Sequence, residues 1–192
     1  MTDDPKRVDE SKSDEIGAGV LAPALRVLNE LVTGGFLTEY AISGGVGVLY
    51  YVEPVLTYDF DVVCLFPDAG PLVDPSPLFG ELRRRGFVFG EEDRVLIAGV
   101  PVQFIPAEPG LMEEALQSAV DVRIEGEATR VLTLEYLMAN MLRLHRAKDR
   151  AKLALIADSH GDCYNDDVLK AILDRYGLWE KWHREYDVDA GD

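Results

Sequence analysis

Basic residues are scarce in this chain. Its 192 residues include 19 Lys and Arg against 35 Asp and Glu, a formal charge of −16. A surface so negative repels bulk nucleic acid and anionic membranes, which excludes a protein whose task is to coat either. Cysteine is rarer still. Cys64 and Cys163 are the only two, too few for a disulfide framework or a cysteine zinc site. Cys64 lies in an apolar run and reads as a small core residue. The histidines, His145, His160 and His183, stand at no spacing that joins one to another, or to a cysteine, as metal ligands. No apolar run reaches the ~20 residues of a membrane helix. The opening stretch MTDDPKRVDESKSDE lacks the basic-then-apolar order of a signal peptide. The expectation is a soluble, cytoplasmic protein with no membrane partner. Internal repeats and low-complexity segments are also missing.

What is present suffices for one domain. Hydrophobic residues make up 47% of the chain, enough to build a core. Residues 1–18 read as a disordered acidic lead and 188–192 as a similar tail. Leu21, Ala24, Leu25, Leu28, Leu31 and Val32 recur at helical spacing until Gly34-Gly35. Residues 36–42 read as a strand, Ser43-Gly44-Gly45 as a tight turn, and 46–51 as a second helix. A strand over 58–66 follows, then a helix from Pro75 to Arg85 that Gly86 ends. FVFG, RVLIAG and VPVQFIPA are spaced like meander strands. A helix over 109–119 and a strand over 120–124 complete a mixed region, 19–130. From Thr133, an N-cap candidate, residues 131–187 are helical. Asn165 caps a helix that Gly177 stops. Trp179 and Trp182, at i and i+3, dock the last helix on the body.

Two carboxylates stand inside an apolar run. In TYDFDVV, Asp59 and Asp61 are at i and i+2, so a strand points both to one face with Thr57. Two such groups repel each other and lose hydration, and a divalent cation relieves both costs. Alone, the pair is better read as a strand end facing water. About 15 residues earlier, Ser43-Gly44-Gly45 joins a strand to a helix, where backbone amides favour an anion such as phosphate. Together they make a unit suited to magnesium and a nucleoside triphosphate. A third signal is the run RLHRAKDRAK, 143–152, basic in an acidic protein. It reads equally as a solvated helix face or as the positive wall of a triphosphate cleft. Lys148 and Lys152 share one side of a helix, and Arg146 and Arg150 another. Lys148 is the first choice for a cleft-facing cation and Arg146 the second.

Strand, Gly-Gly turn, helix, then a Thr-x-Asp-x-Asp strand resembles the nucleotidyltransferase fold of the DNA polymerase beta superfamily. Residues 54–61, PVLTYDFD, with Arg146-Ala147-Lys148-Asp149 farther on, are similar more narrowly to the AbiEii-like abortive-infection nucleotidyltransferases, which include toxins of toxin–antitoxin pairs. The resemblance spans residues 20–176. It implies an α+β fold, a small mixed sheet with flanking helices followed by a helical C-terminal region. It implies Mg²⁺-dependent transfer of a nucleotidyl group from a triphosphate to a hydroxyl of a tRNA or protein, with a cognate antitoxin as partner. Asp59 and Asp61 would hold one or two metal ions. Ser43, Gly44, Gly45 and Thr57 would bind the nucleotide, with Arg146 and Lys148 on its phosphates. The chain departs from the pattern twice. Val55 replaces an arginine. Gln103 falls where the third carboxylate is expected, and an amide cannot accept the proton of an attacking hydroxyl. Asp149 is the substitute base, or else an ion-pair partner of Arg146 or Lys152. Two readings stay open: an active enzyme, and a degenerate member that binds nucleotide or a protein partner without turnover. A third, weaker one is an acidic mimic of nucleic acid.

Overall fold

The computed structural model describes residues 19–52, 60–67, 73–90, 94–158 and 163–186. The expectations placed on the two termini, and on Val55, Thr57 and Asp59, lie outside the described residues.

The chain runs α1 (Leu21–Thr33), β1 (Glu39–Ile42), α2 (Gly44–Leu49), β2 (Phe60–Leu65), α3 (Ser76–Arg84), β3 (Val88–Phe89), β4 (Arg94–Ile97), β5 (Val100–Pro106), α4 (Leu111–Gln117), β6 (Val120–Ile124) and β7 (Glu127–Val131). Four helices follow: α5 (Leu134–Leu144), α6 (Ala147–Asp158), α7 (Asp166–Arg175) and α8 (Trp179–Glu185). The strands form one mixed seven-stranded sheet in the order β3-β4-β5-β2-β1-β7-β6. β2 lies at its centre, antiparallel to β1 and parallel to β5. This is the α+β architecture expected, a mixed sheet with flanking helices and a helical C-terminal region.

Alternation along β2 explains the layering. Phe60, Val62 and Cys64 face one side and join Leu25, Leu28 and Leu31 of α1, Leu78 and Leu82 of α3, and Val95, Ile97, Val102 and Phe104 from the neighbouring strands. Val63 faces the other side and joins the apolar residues of α4, α5, α6, α7 and α8. Asp61 shares that second face, since residues i and i+2 of a strand point alike. The sheet thus has a core on each side, and Asp61 opens on the helical side.

Two strands differ from expectation. β1 is shorter than 36–42, because Phe36 and Leu37 close the α1 turn with amide bonds to Leu31 O. β7 was not foreseen. It returns from β6 through Glu125-Gly126, both at positive φ, a two-residue turn that pairs Ile124 with Glu127. A strand therefore carries the core as far as Val131, which pairs with Ile42. The helix expected over 46–51 begins earlier, at Gly44. Asn165 caps α7 as foreseen, its side chain accepting from Val168 N at 3.1 Å. Trp182 is buried against the second core, and Trp179 stacks on His183 and lies under Lys170.

Candidate active site

The 43–45 turn leaves β1 beside Asp61, with Ser43 N donating to Asp61 O at 2.8 Å. Gly44 sits at φ +59, and a Cβ there would overlap the Asp61 carboxylate. Glycine is thus required twice, for the left-handed backbone and for the space. The protein's own carboxylate, not an external ligand, approaches Gly44 most closely. Next across the sheet, Asp61 is in register with Gln103 of β5, and Gln103 with Arg94 of β4. Three adjacent strands therefore set a carboxylate, an amide and a guanidinium in one row on one face. Strand spacing makes the row roughly 10 Å from end to end.

This row floors a cavity of about 650 Å³. Ser43, Gly44 and Gly45 edge it, Val63 and Ile105 extend its floor, and Met112, Leu137, Asn140, Met141 and Leu144 from α4 and α5 cover one side. The far wall is Arg143, Arg146, Lys148, Asp149 and Lys152. With Glu108, the described lining residues include five cations and three carboxylates.

The far wall has a local cause. α5 ends at His145 in the left-handed conformation, and α6 restarts after Arg146. Asp149 bonds back to Arg146 N at 3.0 Å, while Asp149 N and Arg150 N donate to Arg146 O. Arg146 is therefore the N-cap of α6, and Asp149 closes a capping-box bond onto it. Arg146 also gives Asp149 its guanidinium, Nε–Oδ2 2.7 Å and Nη2–Oδ1 3.2 Å. Asp149 is 2% exposed, so its charge is held by that fork. Arg146 and Lys148 were expected to compete for the cleft. Both line it, with Lys152 as well, because Arg146 precedes the helix and is free of its angular spacing. Arg150 turns away and bonds His145 O at 3.0 Å.

Lys152 is half-buried; burial and the nearby Lys148 lower its pKa, while Asp149 and Asp61 oppose the shift. The cavity therefore brings together Ser43, Gly44, Gly45, Asp61, Gln103, Arg146, Lys148 and Asp149 from the sequence reading. That reading had no role for Arg94, Asn140 or Met112, and placed Arg143 only within the basic run 143–152. One signal was available for Arg94. Counting back from the Ala98-Gly99 turn pairs 97 with 100 and hence 94 with 103, the observed register. Among the described residues no group of three His, Cys, Asp or Glu is placed to hold a metal ion. No described helix is long and apolar enough to cross a membrane.

No protein-family model and no curated protein matches the chain. Solved structures similar to it include these two. One is ANT(2'')-Ia, an antibiotic-resistance factor solved in solution, with TM-score 0.45 and 16% identity over 84% of this chain and 97% of that one. The other is an antigenic nucleotidyltransferase-like protein from Paracoccidioides brasiliensis, with TM-score 0.52 and 12% identity over 88% of this chain and 93% of that one. The mixed sheet with its flanking helices and its nearly full-length match to the second of these give the chain a nucleotidyltransferase-like fold.

Proposed function

We propose that the chain is a magnesium-dependent nucleotidyltransferase. It binds a nucleoside triphosphate in the cavity over the sheet and passes the nucleotidyl group to a hydroxyl of an RNA or protein. The observation that carries this reading is the convergence of the 43–45 turn, Asp61 and Gln103 with Arg146, Lys148 and Lys152 in one cavity. Its volume, about 650 Å³, lies in the range of small-molecule sites. Val63, Ile105, Met112, Leu137 and Met141 suit a base and ribose, and the cations suit a triphosphate. In the transfer, the acceptor oxygen bonds to the α phosphorus, the bond to the bridging oxygen breaks, and the hydroxyl proton passes to solvent water. Pyrophosphate leaves with charge that Lys148, Lys152 and Arg146 hold. Asp149 acts here as a positioning residue, because Arg146 engages both its oxygens.

The donor chemistry fits one magnesium ion. Asp61 offers a carboxylate and Gln103 an amide oxygen from the adjacent register position. Magnesium asks for one or two protein carboxylates and fills its shell with water and phosphate. Asp59, from the same sequence motif, is the second ligand in this reading. Magnesium bound there would neutralise charge on the transferring phosphoryl oxygens. A second ion fits poorly, since the row ends in a guanidinium.

Incubation with each α-labelled triphosphate, Mg²⁺ and cell extract tests the proposal. We expect a labelled acceptor, and loss of label by about 100-fold or more in Asp61→Asn. No label from any triphosphate would sink it. The resemblance of PVLTYDFD and RAKD to AbiEii-like proteins supports a toxin held in check by a cognate antitoxin. Growth arrest on expression, relieved by Asp61→Asn, is its expected signature. Gln103, in register with Asp61 where a carboxylate is expected, favours a second reading, nucleotide binding without turnover. Calorimetric binding with no label transfer in any extract would select it.

A further inference from the structure

We propose that Arg94 is a built-in cation that grips the phosphates of the bound nucleotide in place of a second divalent ion, so that nucleotide binding does not depend on metal. The inference rests on the nucleotide-binding reading of the cavity and goes beyond it by assigning both a residue and a metal requirement. Arg94 lines the cavity in register with Gln103, itself in register with Asp61. Among the described residues it is the one lining cation rooted in the sheet; the other four, Arg143, Arg146, Lys148 and Lys152, come from α5, the α5–α6 junction and α6. Its Nε is buried, so the guanidinium is seated in the floor of the cavity that it lines.

Two consequences follow from charge. A divalent ion between Gln103 and Arg94 would have a guanidinium beside it and a neutral amide as its ligand, a poor exchange for hydration. A phosphate oxygen at the same place would face a planar fork of donors matched to its geometry. With helix cations opposite, a triphosphate would be neutralised from floor and wall together. Asp61 at the other end of the row leaves one ion for the transfer step. Glutamine in register with Asp61 and arginine in the next strand thus act together: positive charge that a second ion would bring is carried by the chain itself.

The test is calorimetric binding of ATP, GTP, CTP and UTP, each in EDTA and in MgCl₂. Wild type is expected to bind at least one triphosphate in EDTA within tenfold of its affinity in magnesium. Arg94→Gln should lose tenfold or more in EDTA. Gln103→Asp should lose affinity in EDTA and recover it with magnesium. No binding in either buffer would sink the nucleotide-binding reading itself. Binding in magnesium alone would overturn this inference and leave that reading standing. Binding in EDTA unchanged by Arg94→Gln would overturn the role of Arg94. If Arg94→Gln fails to fold by circular dichroism, Arg94→Lys is read instead. It keeps the charge and loses the fork, and an affinity drop of threefold or more supports the role while unchanged affinity overturns it.

Discussion

At residue 44 the backbone and a side chain compete for one space. Asp61 fills the volume that any Cβ at 44 would need, and φ there is +59. Gly44→Ala should therefore displace Asp61 and strain the turn, costing about 1–2 kcal/mol from the backbone alone. Thermal melts and triphosphate calorimetry on this variant should register both the strain and the lost site. Cys64 has the opposite setting. Burial pushes its thiol up to about 12, and its Sγ approaches Ile105 O at 3.7 Å. It should resist thiol reagents in the folded protein, so that mass spectrometry finds Cys163 modified first and Cys64 only after unfolding. Of these settings, the pairing of a glycine turn with Asp61 was legible in the sequence, since both belong to a short stretch with unusual composition for a core. The engagement of Asp149 by Arg146 was foreseen as one alternative, and its burial decides for it. The position of Arg94 was not read, although the Ala98-Gly99 turn encoded it.

At the scale of elements, two hairpins use the same turn with opposite consequences. Ala98-Gly99 and Glu125-Gly126 each place a non-glycine residue at φ 51, where L-residues are strained. Ala98→Gly relieves that strain and should raise the melting temperature, a gain of up to about 1 kcal/mol. Glu125→Gly should lower it, by about 1–2 kcal/mol. The Glu125 carboxylate accepts from Gly19 N at 2.8 Å and Ala22 N at 2.7 Å, capping α1, whose own N-cap is Val20. No described residue near α1 in the chain explains its start, because the cap arrives from the β6–β7 turn about 100 residues later. α3 carries a similar debt to charge. Glu81 binds Arg84 and Arg85, and these bonds draw its carboxyl down to about 2. Its folded pKa lies below the unfolded one. The stability it lends is therefore whole above the ordinary carboxylate value of 4.5 and fades as pH falls toward about 2. Melting temperatures of wild type and Glu81→Gln should differ at pH 6 and converge near pH 2.

For the whole molecule, the sheet has a core on each face, and both cores share β1, β2 and β5. Neither layer of helices has anything to pack on without those strands. Unfolding in urea should be one cooperative transition, although both tryptophans, Trp179 and Trp182, sit in α8. Fluorescence and far-UV circular dichroism should give coincident curves, and an earlier fluorescence midpoint would mean that α8 leaves the body first. Phe60→Ala, at the shared centre, should cost about 3–5 kcal/mol. Charge is also divided at this scale. The chain as a whole is acidic, yet five cations are among the described residues that line the cavity. The protein should ignore labelled duplex DNA at physiological salt in an anisotropy titration, because a net charge of −16 repels a long polyanion while a free triphosphate is small enough to enter the cavity.

The sequence by itself determined the element types, the order of most of them, the alternation that splits β2 between a core face and a polar face, and the turn at 43–45. These follow from local periodicity and from glycine, which act over a few residues. What only the tertiary structure decided was the neighbour of each element. β5 beside β2 aligns Gln103 with Asp61, and the kink at His145 brings Arg146, Lys148 and Lys152 over that row. Such contacts are fixed by packing between segments 40 to 90 residues apart in the chain, and no local pattern records which face of which partner will meet.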